Sequence, residues 1–167
     1  HFSHTNSLEL GDWMLDIPYI HTTLLYNGDR FSGDWGQGLE CAGDLNPGPM
    51  HHYTETVLSF EYWNGDTLNV PGKTNEKLLR NSGHITSPSY PKVTKSNWRI
   101  SCQSNNAQSF GQRFIAQSPD GMTYTFSNLK LVSAAPMVRG GKSIAKYEAF
   151  MLVTKISDRF GNYVNYN

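Results

Sequence analysis

The residues best suited to metal chemistry lie in one segment, "DLNPGPMHHYTE". Its candidate ligands are Asp44, His51, His52 and Glu55, and imidazole and carboxylate groups are common ligands of zinc. Adjacent side chains on a strand point to opposite faces, so only one histidine could join a carboxylate. The helical spacing H-E-x-x-H is absent. We therefore expect structural or solvent-exposed roles for these residues and predict no metal site.

Nucleophilic catalysis finds no better support in the sequence. Cys41, Cys102 and the serines lie outside any G-x-S-x-G elbow or cysteine-protease context. The neighbouring carboxylates Asp29 and Asp34 are typical of loop and cap positions. His21 lies in an apolar strand, where a hydrogen-bonded core histidine is the expected role. The sequence predicts no catalytic residue.

Glycine-rich phosphate sites are equally unsupported. The segment "GDWGQG" lacks the strand-to-helix context that a nucleotide-binding loop requires. No cofactor is predicted.

Aromatic residues are the one feature that could bind a ligand independently. A platform for sugar stacking could use Trp35, Tyr53, Trp63, Tyr90 and Trp98. Aromatic strand residues more often pack across neighbouring strands. Trp35, in a glycine-rich loop, is the best candidate for a ligand-facing aromatic, and a carbohydrate-binding β module is the alternative function.

Composition limits the class of protein. The 14 Lys and Arg residues balance the 14 Asp and Glu residues, so no overall field attracts nucleic acid or an anionic membrane. The hydrophobic fraction of 38% is enough for a folded core. No run approaches the roughly 20 apolar residues of a membrane span. The start "HFSHTNSLELGD" lacks a signal pattern, so we expect any export signal to lie outside this chain.

The two cysteines are 61 residues apart, 102 minus 41. This spacing fits neither a zinc knuckle nor a redox pair. We expect two separate buried thiols, with one disulfide as the alternative.

Hydrophobic periodicity predicts an all-β protein. Apolar residues recur with period two, and no capped helical stripe of twelve residues is found. The segment 17–26 is apolar on both faces, as is typical of a strand covered on two sides. We expect antiparallel β-hairpins in a twisted open sheet or a partial sandwich or barrel. One domain is predicted over 12–167, after a flank at 1–11, with a long polar loop at 72–97 and a helical turn near 76–79.

Turn chemistry predicts three hairpins. Asn64-Gly65 follows the alternating run 56–63 and precedes 67–70, and Asn-Gly is the strongest short hairpin signal. Asp120-Gly121 separates two further runs. After a polar loop containing Gly140-Gly141, the last hairpin turns at 158–162. There Gly161 is expected in the left-handed conformation, and the structural turn residues are Asp158, Gly161 and Asn162.

Four segments in order resemble the N-terminal region of bacterial RHS/YD-repeat proteins. They are "LDIPYIHTTLLYNGDRFSGDWGQGLECAG", "YWNGDTLNVPG" with the later "NWRISC", "FIAQSPDGMTYTF" and "LVTKISDRFGNYVNY". The likeness covers about 12–166. One departure is Leu39, which stands where the family pattern usually has Trp after Gly-x-Gly.

The resemblance implies a non-enzymatic structural module that begins or plugs a hollow shell of β-hairpins. In that family the shell encloses a C-terminal toxin, and the tandem YD repeats begin directly after such a region. The implied partners are the following YD repeats, and further the enclosed toxin domain or a secretion-system component. The implied location is secreted or at the bacterial cell surface. The chain is then expected to be a fragment that ends where the repeats would continue its sheet.

Overall fold

The computed structural model describes residues 9–10, 13–14, 16–32, 46–81, 90–104 and 112–166. This part of the chain contains one short 3-10 turn, Ser59–Glu61, and no α-helix, so the all-β prediction is confirmed. Its strands are β1 Glu9–Leu10, β2 Trp13–Met14, β3 Tyr19–Tyr26, β4 Met50–His52, β5 Glu55–Val57, β6 Thr67–Val70, β7 Thr74–Lys77, β8 Leu79–Arg80, β9 Lys92–Val93, β10 Arg99–Ser104, β11 Gln112–Gln117, β12 Thr123–Arg139, β13 Lys142–Ser157 and β14 Tyr163–Asn165.

Nine of these strands follow one another around a nearly closed barrel. Their order is β7-β6-β3-β13-β12-β11-β10-β9-β8, with antiparallel pairing throughout, and β14 branches from β13. The two end strands, β7 and β8, are separated only by Leu78. One chain segment therefore pairs with β6 through its first half and with β9 through its second half. This joint brings the two ends of the sheet together, so the barrel is nearly closed.

The barrel interior is filled by alternate side chains of its strands. Phe114 of β11 lies in register with Phe126 of β12, and both are fully buried. Trp98 and Tyr124 pack with their ring centroids 5.3 Å apart. Each large apolar side chain buried in this way contributes roughly 1.5–3 kcal/mol. The interior cluster comprises Ile20, Leu24, Leu68, Val70, Leu78, Trp98, Ile100, Phe114, Ala116, Tyr124, Phe126, Ala149, Met151 and Val153.

A second, smaller cluster lies where the long hairpin β12–β13 extends past β11. The hairpin turns at Gly140-Gly141, whose φ angles of +55° and +73° suit a two-residue turn. The small hairpin β4–β5 packs on this extension, and the cluster comprises Leu25, Met50, Val57, Tyr62 and Ile144. The expected polar loop around Gly140-Gly141 is therefore wrong, because most of it is strand.

The predicted hairpin at Asn64-Gly65 is also wrong. β5 ends at Val57 and pairs with β4, whereas β6 pairs with β3 and β7. The run 56–63 is broken because the Glu61 carboxylate accepts the Leu58 N–H at 2.7 Å and stabilises the 3-10 turn. Gly65 still has a positive φ of +91°. The dipeptide thus belongs to a connection between two different sheets.

The predicted loop at 72–97 contains β7, β8 and β9, and no helical turn forms at 76–79. Leu78, the centre of that expected turn, is buried, and its N–H donates to the backbone oxygen of Asp66 at 2.8 Å. The polar composition of this segment predicted a loop. Its strands form because they pair with β6 and β10 to close the barrel, and the local sequence gives no sign of those distant partners.

Cys102 on β10 is disulfide-bonded, so the expectation of two separate thiols is wrong. Cys41, the other cysteine of the chain, lies outside the described residues. Sequence spacing carries no information about distance in space, so it does not distinguish two separate thiols from a disulfide.

No helix in the described part of the chain is long and apolar enough to cross a membrane.

Candidate functional site

The feature best suited to an interaction is the hairpin formed by β13 and β14. β3 covers one edge of β13 as far as Leu152, and the Val153 N–H donates to the backbone oxygen of Pro18. β14 takes over the same edge through three residue pairs at 155–157. The Tyr166 N–H extends this ladder by donating to the backbone oxygen of Thr154 at 2.9 Å. Among the described residues, nothing pairs with the outer edge of β14.

The turn of this hairpin is held by one carboxylate. Asp158 accepts the N–H of Phe160 at 2.8 Å and the N–H of Asn162 at 2.9 Å. It also accepts the side-chain amide of Asn162 at 2.7 Å, and that bond is the main reason that the pKa of Asp158 is lowered. Gly161 has a φ of +90°, a conformation that residues with a Cβ rarely adopt. The hairpin is therefore built by local turn chemistry.

Apolar side chains project from both faces of this hairpin. The exposed fractions are 76% for Phe160 and 60% each for Tyr163 and Val164. Tyr163 and Val164 are neighbours on a strand, so they point to opposite faces. A strand that is apolar on both faces is typical of the interior of a larger sheet, where both faces are covered. We call Phe160, Tyr163, Val164 and Tyr166 the terminal hairpin surface.

Two cations lie on the aromatic rings of this surface. Lys155 Nζ is 4.3 Å from the centroid of the Tyr163 ring, and the Arg159 guanidinium is 4.8 Å from that of Phe160. At exposed positions such cation–π contacts contribute roughly 0.5–1 kcal/mol each. They orient the rings and place positive charge beside the apolar surface.

The turn between β11 and β12 lies next to the terminal hairpin. A Cβ added to Gly121 would be 3.8 Å from the Arg159 side chain. In this turn Asp120 accepts hydrogen bonds from Lys73 Nζ at 2.7 Å and from the Ser118 hydroxyl. Lys73 comes from the connection between β6 and β7, so the contact ties two turns together.

The Lys73 contact is the main reason that the pKa of Asp120 is lowered to about 2. A carboxylate with so low a pKa is a weak base at neutral pH, because general bases work best with a pKa near the working pH. The group of Ser118, Asp120 and Lys73 is therefore suited to holding the turns in place rather than to proton transfer.

The predicted turn residues occupy two separate places. Asp120 and Gly121 lie beside the terminal turn, which contains Asp158, Gly161 and Asn162. Asn64 and Gly65 instead lie beside Lys77 of β7, whose Nζ donates to the Asn64 side chain at 2.8 Å.

The candidate ligands His51 and His52 are adjacent on β4, and His52 lies in register with Glu55 of β5. His51 is exposed and lies 3.0 Å from the Thr56 hydroxyl, and Asp44 is outside the described residues. His21 is half-buried, and its Nε2 lies 2.6 Å from Glu148 Oε2. Within the described ranges no group of three or more His, Cys, Asp or Glu residues could hold a metal.

The aromatic residues considered as a sugar platform have different environments and do different things in the structure. Trp98 is buried, while the Trp63 indole N–H is used in hydrogen bonds to Thr22 and Asp66. Tyr53 is 77% exposed, with Lys142 Nζ 3.8 Å from its ring centroid. Trp35 lies outside the described residues.

Sequence reasoning missed the cations Lys73, Lys155 and Arg159. Lys155 could have been found, because the hairpin register places it opposite Asn165 and diagonal to Tyr163. Lys73 had no local signal, since its partner Asp120 is 47 residues away.

No family model, curated protein or solved structure matches this chain. Any function must therefore be argued from the residues and their geometry.

Replacing Gly161 by valine should open the terminal hairpin locally. The backbone strain is about 1–2 kcal/mol for a residue with a Cβ at positive φ, and no atom lies within 4 Å of the added Cβ. We expect hydrogen exchange at the Tyr166 amide to become about tenfold faster. The Val153 amide, which bonds to Pro18, should keep its rate. Gly72→Val is the matched control, because Gly72 also has positive φ and open space. Equal Tyr166 rates in the wild type and Gly161→Val would contradict this account of the turn.

The contact between Lys73 and Asp120 should give a measurable pH dependence. The folded pKa of Asp120 is below its ordinary value of 3.8, so the stabilisation is present above that value and is lost as the pH falls towards about 2. Lys73→Met should raise the pKa of Asp120, as measured by NMR of its carboxyl carbon. Lys130→Met, a change at an exposed lysine of β12, should leave that pKa unchanged. The same Asp120 midpoint in Lys73→Met and the wild type would show that the ion pair is not formed.

Proposed function

We propose that this chain is a non-enzymatic structural module whose terminal hairpin receives further β-strands and so begins or plugs a larger β shell. The observation that carries the proposal is β14. Its outer edge is unpaired among the described residues, and its apolar side chains are exposed on both faces.

An unpaired strand edge is a template for another strand. Its free N–H and C=O groups favour β-augmentation, in which main-chain hydrogen bonds provide affinity and alternate side chains provide specificity. Tyr163 and Val164 lie on opposite faces, so an added strand and the layers above and below it would cover both. The partner predicted by this geometry is therefore a β-hairpin, rather than a small molecule held in a cleft.

The barrel supplies a firm base for such growth. The last residues of β13, 155–157, pair with β14 along one edge and with β12 along the other. Repeat architectures are stabilised in the same way, since each unit buries its surface only against the next one. A first unit must be atypical, and a nearly closed barrel with a projecting terminal hairpin fits that requirement.

The resemblance to RHS/YD-repeat proteins supports a finer form of the proposal. In that form the following YD repeats of the same polypeptide pair with β14, and the shell they continue encloses a C-terminal toxin. The enclosed toxin domain or a secretion-system component is a further partner, and the protein is secreted or displayed on a bacterial surface. The balance of 14 basic and 14 acidic residues supports a role without nucleic acid.

The carbohydrate-binding alternative has less support. A sugar platform needs several exposed aromatic rings close together. Of the candidates, Trp98 is buried, and the indole N–H of Trp63 is hydrogen-bonded to the Thr22 hydroxyl. The terminal hairpin surface therefore favours strand docking over sugar binding.

The coding sequence beyond Asn167 tests the finer proposal directly. Tandem segments rich in Tyr-Asp and Gly would support a shell that continues from β14. A stop codon at that point, or an unrelated catalytic domain, would count against it.

The 167-residue chain on its own should associate through the β14 edge. Val164→Lys should weaken concentration-dependent association by about tenfold in sedimentation equilibrium, because a lysine on an edge strand blocks pairing with another copy. Val138→Lys is the matched control, since Val138 is 69% exposed on β12 and lies away from β14. A monomer at all concentrations, with strong hydrogen-exchange protection at 163–166, would show that the edge is already covered.

A further inference from the structure

A lysine and an aspartate are buried against each other where the barrel closes. The Lys92 and Asp66 side chains are 2% and 5% exposed, and Lys92 Nζ lies 3.8 Å from Asp66 Oδ2. Asp66 directly precedes β6, and Lys92 begins β9. These are the two strands that flank the β7–β8 segment, so the ion pair spans the joint from one side to the other.

The pair lies beside the barrel core. Lys92 Nζ is 5.5 Å from the centroid of the Phe114 ring, which belongs to the barrel core. Asp66 Oδ1 accepts the indole N–H of Trp63 at 3.2 Å. Taking two charges out of water is unfavourable, and well-packed apolar residues in such a place often stabilise a protein as much or more. A contribution to specificity, rather than to stability, is the best-attested benefit of a buried polar pair.

The joint has a clear need for such specificity. β8 pairs with β9 through only two residue pairs, Leu79 with Val93 and Arg80 with Lys92. A ladder this short defines its own register weakly. β9 is also held to β10 by only two residue pairs, and a slip of β9 by one residue would move its side chains to the other face of the sheet. It would therefore take the Lys92 ammonium out of the barrel and leave the Asp66 carboxylate buried without it.

The backbone also links the ion pair to the joint itself. The backbone oxygen of Asp66 accepts the N–H of Leu78, the residue between β7 and β8, at 2.8 Å. On the far side of the segment the Asn81 N–H donates to the backbone oxygen of Pro91 at 2.9 Å, next to Lys92. Holding Asp66 and Lys92 together therefore keeps in place the backbone acceptors of the Leu78 and Asn81 amides.

We propose that Asp66 and Lys92 form a closure latch, which sets the register at which the β7–β8 segment joins β6 to β9. The latch is a conformational device of the barrel, and it requires no assumption about what the terminal hairpin receives.

Hydrogen exchange at the joint tests the latch in three variants. Asp66→Asn and Lys92→Met each remove one charge, and the double variant Asp66→Leu/Lys92→Met replaces the pair with apolar side chains. The probes are the Leu78 and Asn81 amides, with the Ile115 and Thr125 amides of the β11–β12 ladder as internal references. Lys77→Met, at an exposed lysine of the same β7 strand, is the control substitution.

In each single variant the Leu78 and Asn81 amides should exchange at least about tenfold faster relative to the reference amides. Such a difference would indicate a local opening at the joint. In the double variant the urea midpoint should recover towards the wild type, while the joint amides stay less protected than the references. Wild-type protection of Leu78 and Asn81 in the double variant would overturn the latch, because apolar packing would then set the register equally well. Equal loss at joint and reference amides in Asp66→Asn would also overturn it.

Discussion

Closure of the barrel at Leu78 is the constraint on which the rest of the structure depends. One segment pairs with β6 through 74–77 and with β9 through 79–80, and the buried Leu78 lies between these halves. Without that bend the sheet would have two open edges, and its inward face would be exposed along both of them. With it, aromatic and aliphatic side chains from strands far apart in the sequence share one interior. Because the ladder at this joint is short, the buried ion pair there contributes to setting its register.

The same closure helps to explain why the terminal hairpin has an unpaired strand edge available for an interaction. The barrel strands use their backbone groups on one another, whereas β14 branches from β13 and has one described neighbour. Its aromatic and aliphatic side chains lie on both faces, and Lys155 and Arg159 orient two of the rings. A nearly closed barrel offers few strand edges for growth, and the outer edge of β14 is one that the described residues leave unpaired. This geometry favours a structural role in a longer β assembly.

The charged pairs of this molecule differ in value because they differ in exposure. Lys73 and Asp120 have side chains that are 38% and 56% exposed, and pairs so well solvated contribute roughly 0–1 kcal/mol. They connect two turns but do not decide the fold. Asp66 and Lys92 are buried, where an unmatched charge is strongly unfavourable. The buried pair therefore discriminates between registers, while the exposed pair only reinforces a register that packing has set.

Local chemistry in the sequence determined the all-β class, a strand within the segment 17–26 (β3, Tyr19–Tyr26), and the β11–β12 and β13–β14 hairpins. Period-two alternation and turn residues such as Asp120-Gly121 and Gly161 act over a few residues, so they can be read directly. The tertiary structure alone decided that Asn64-Gly65 joins two sheets, that a polar stretch closes the barrel around Leu78, and that Cys102 is disulfide-bonded. These features depend on which distant strands become neighbours. Burial of a shared core selects that pairing, and no short segment contains the information, because each strand's partners lie elsewhere in the chain.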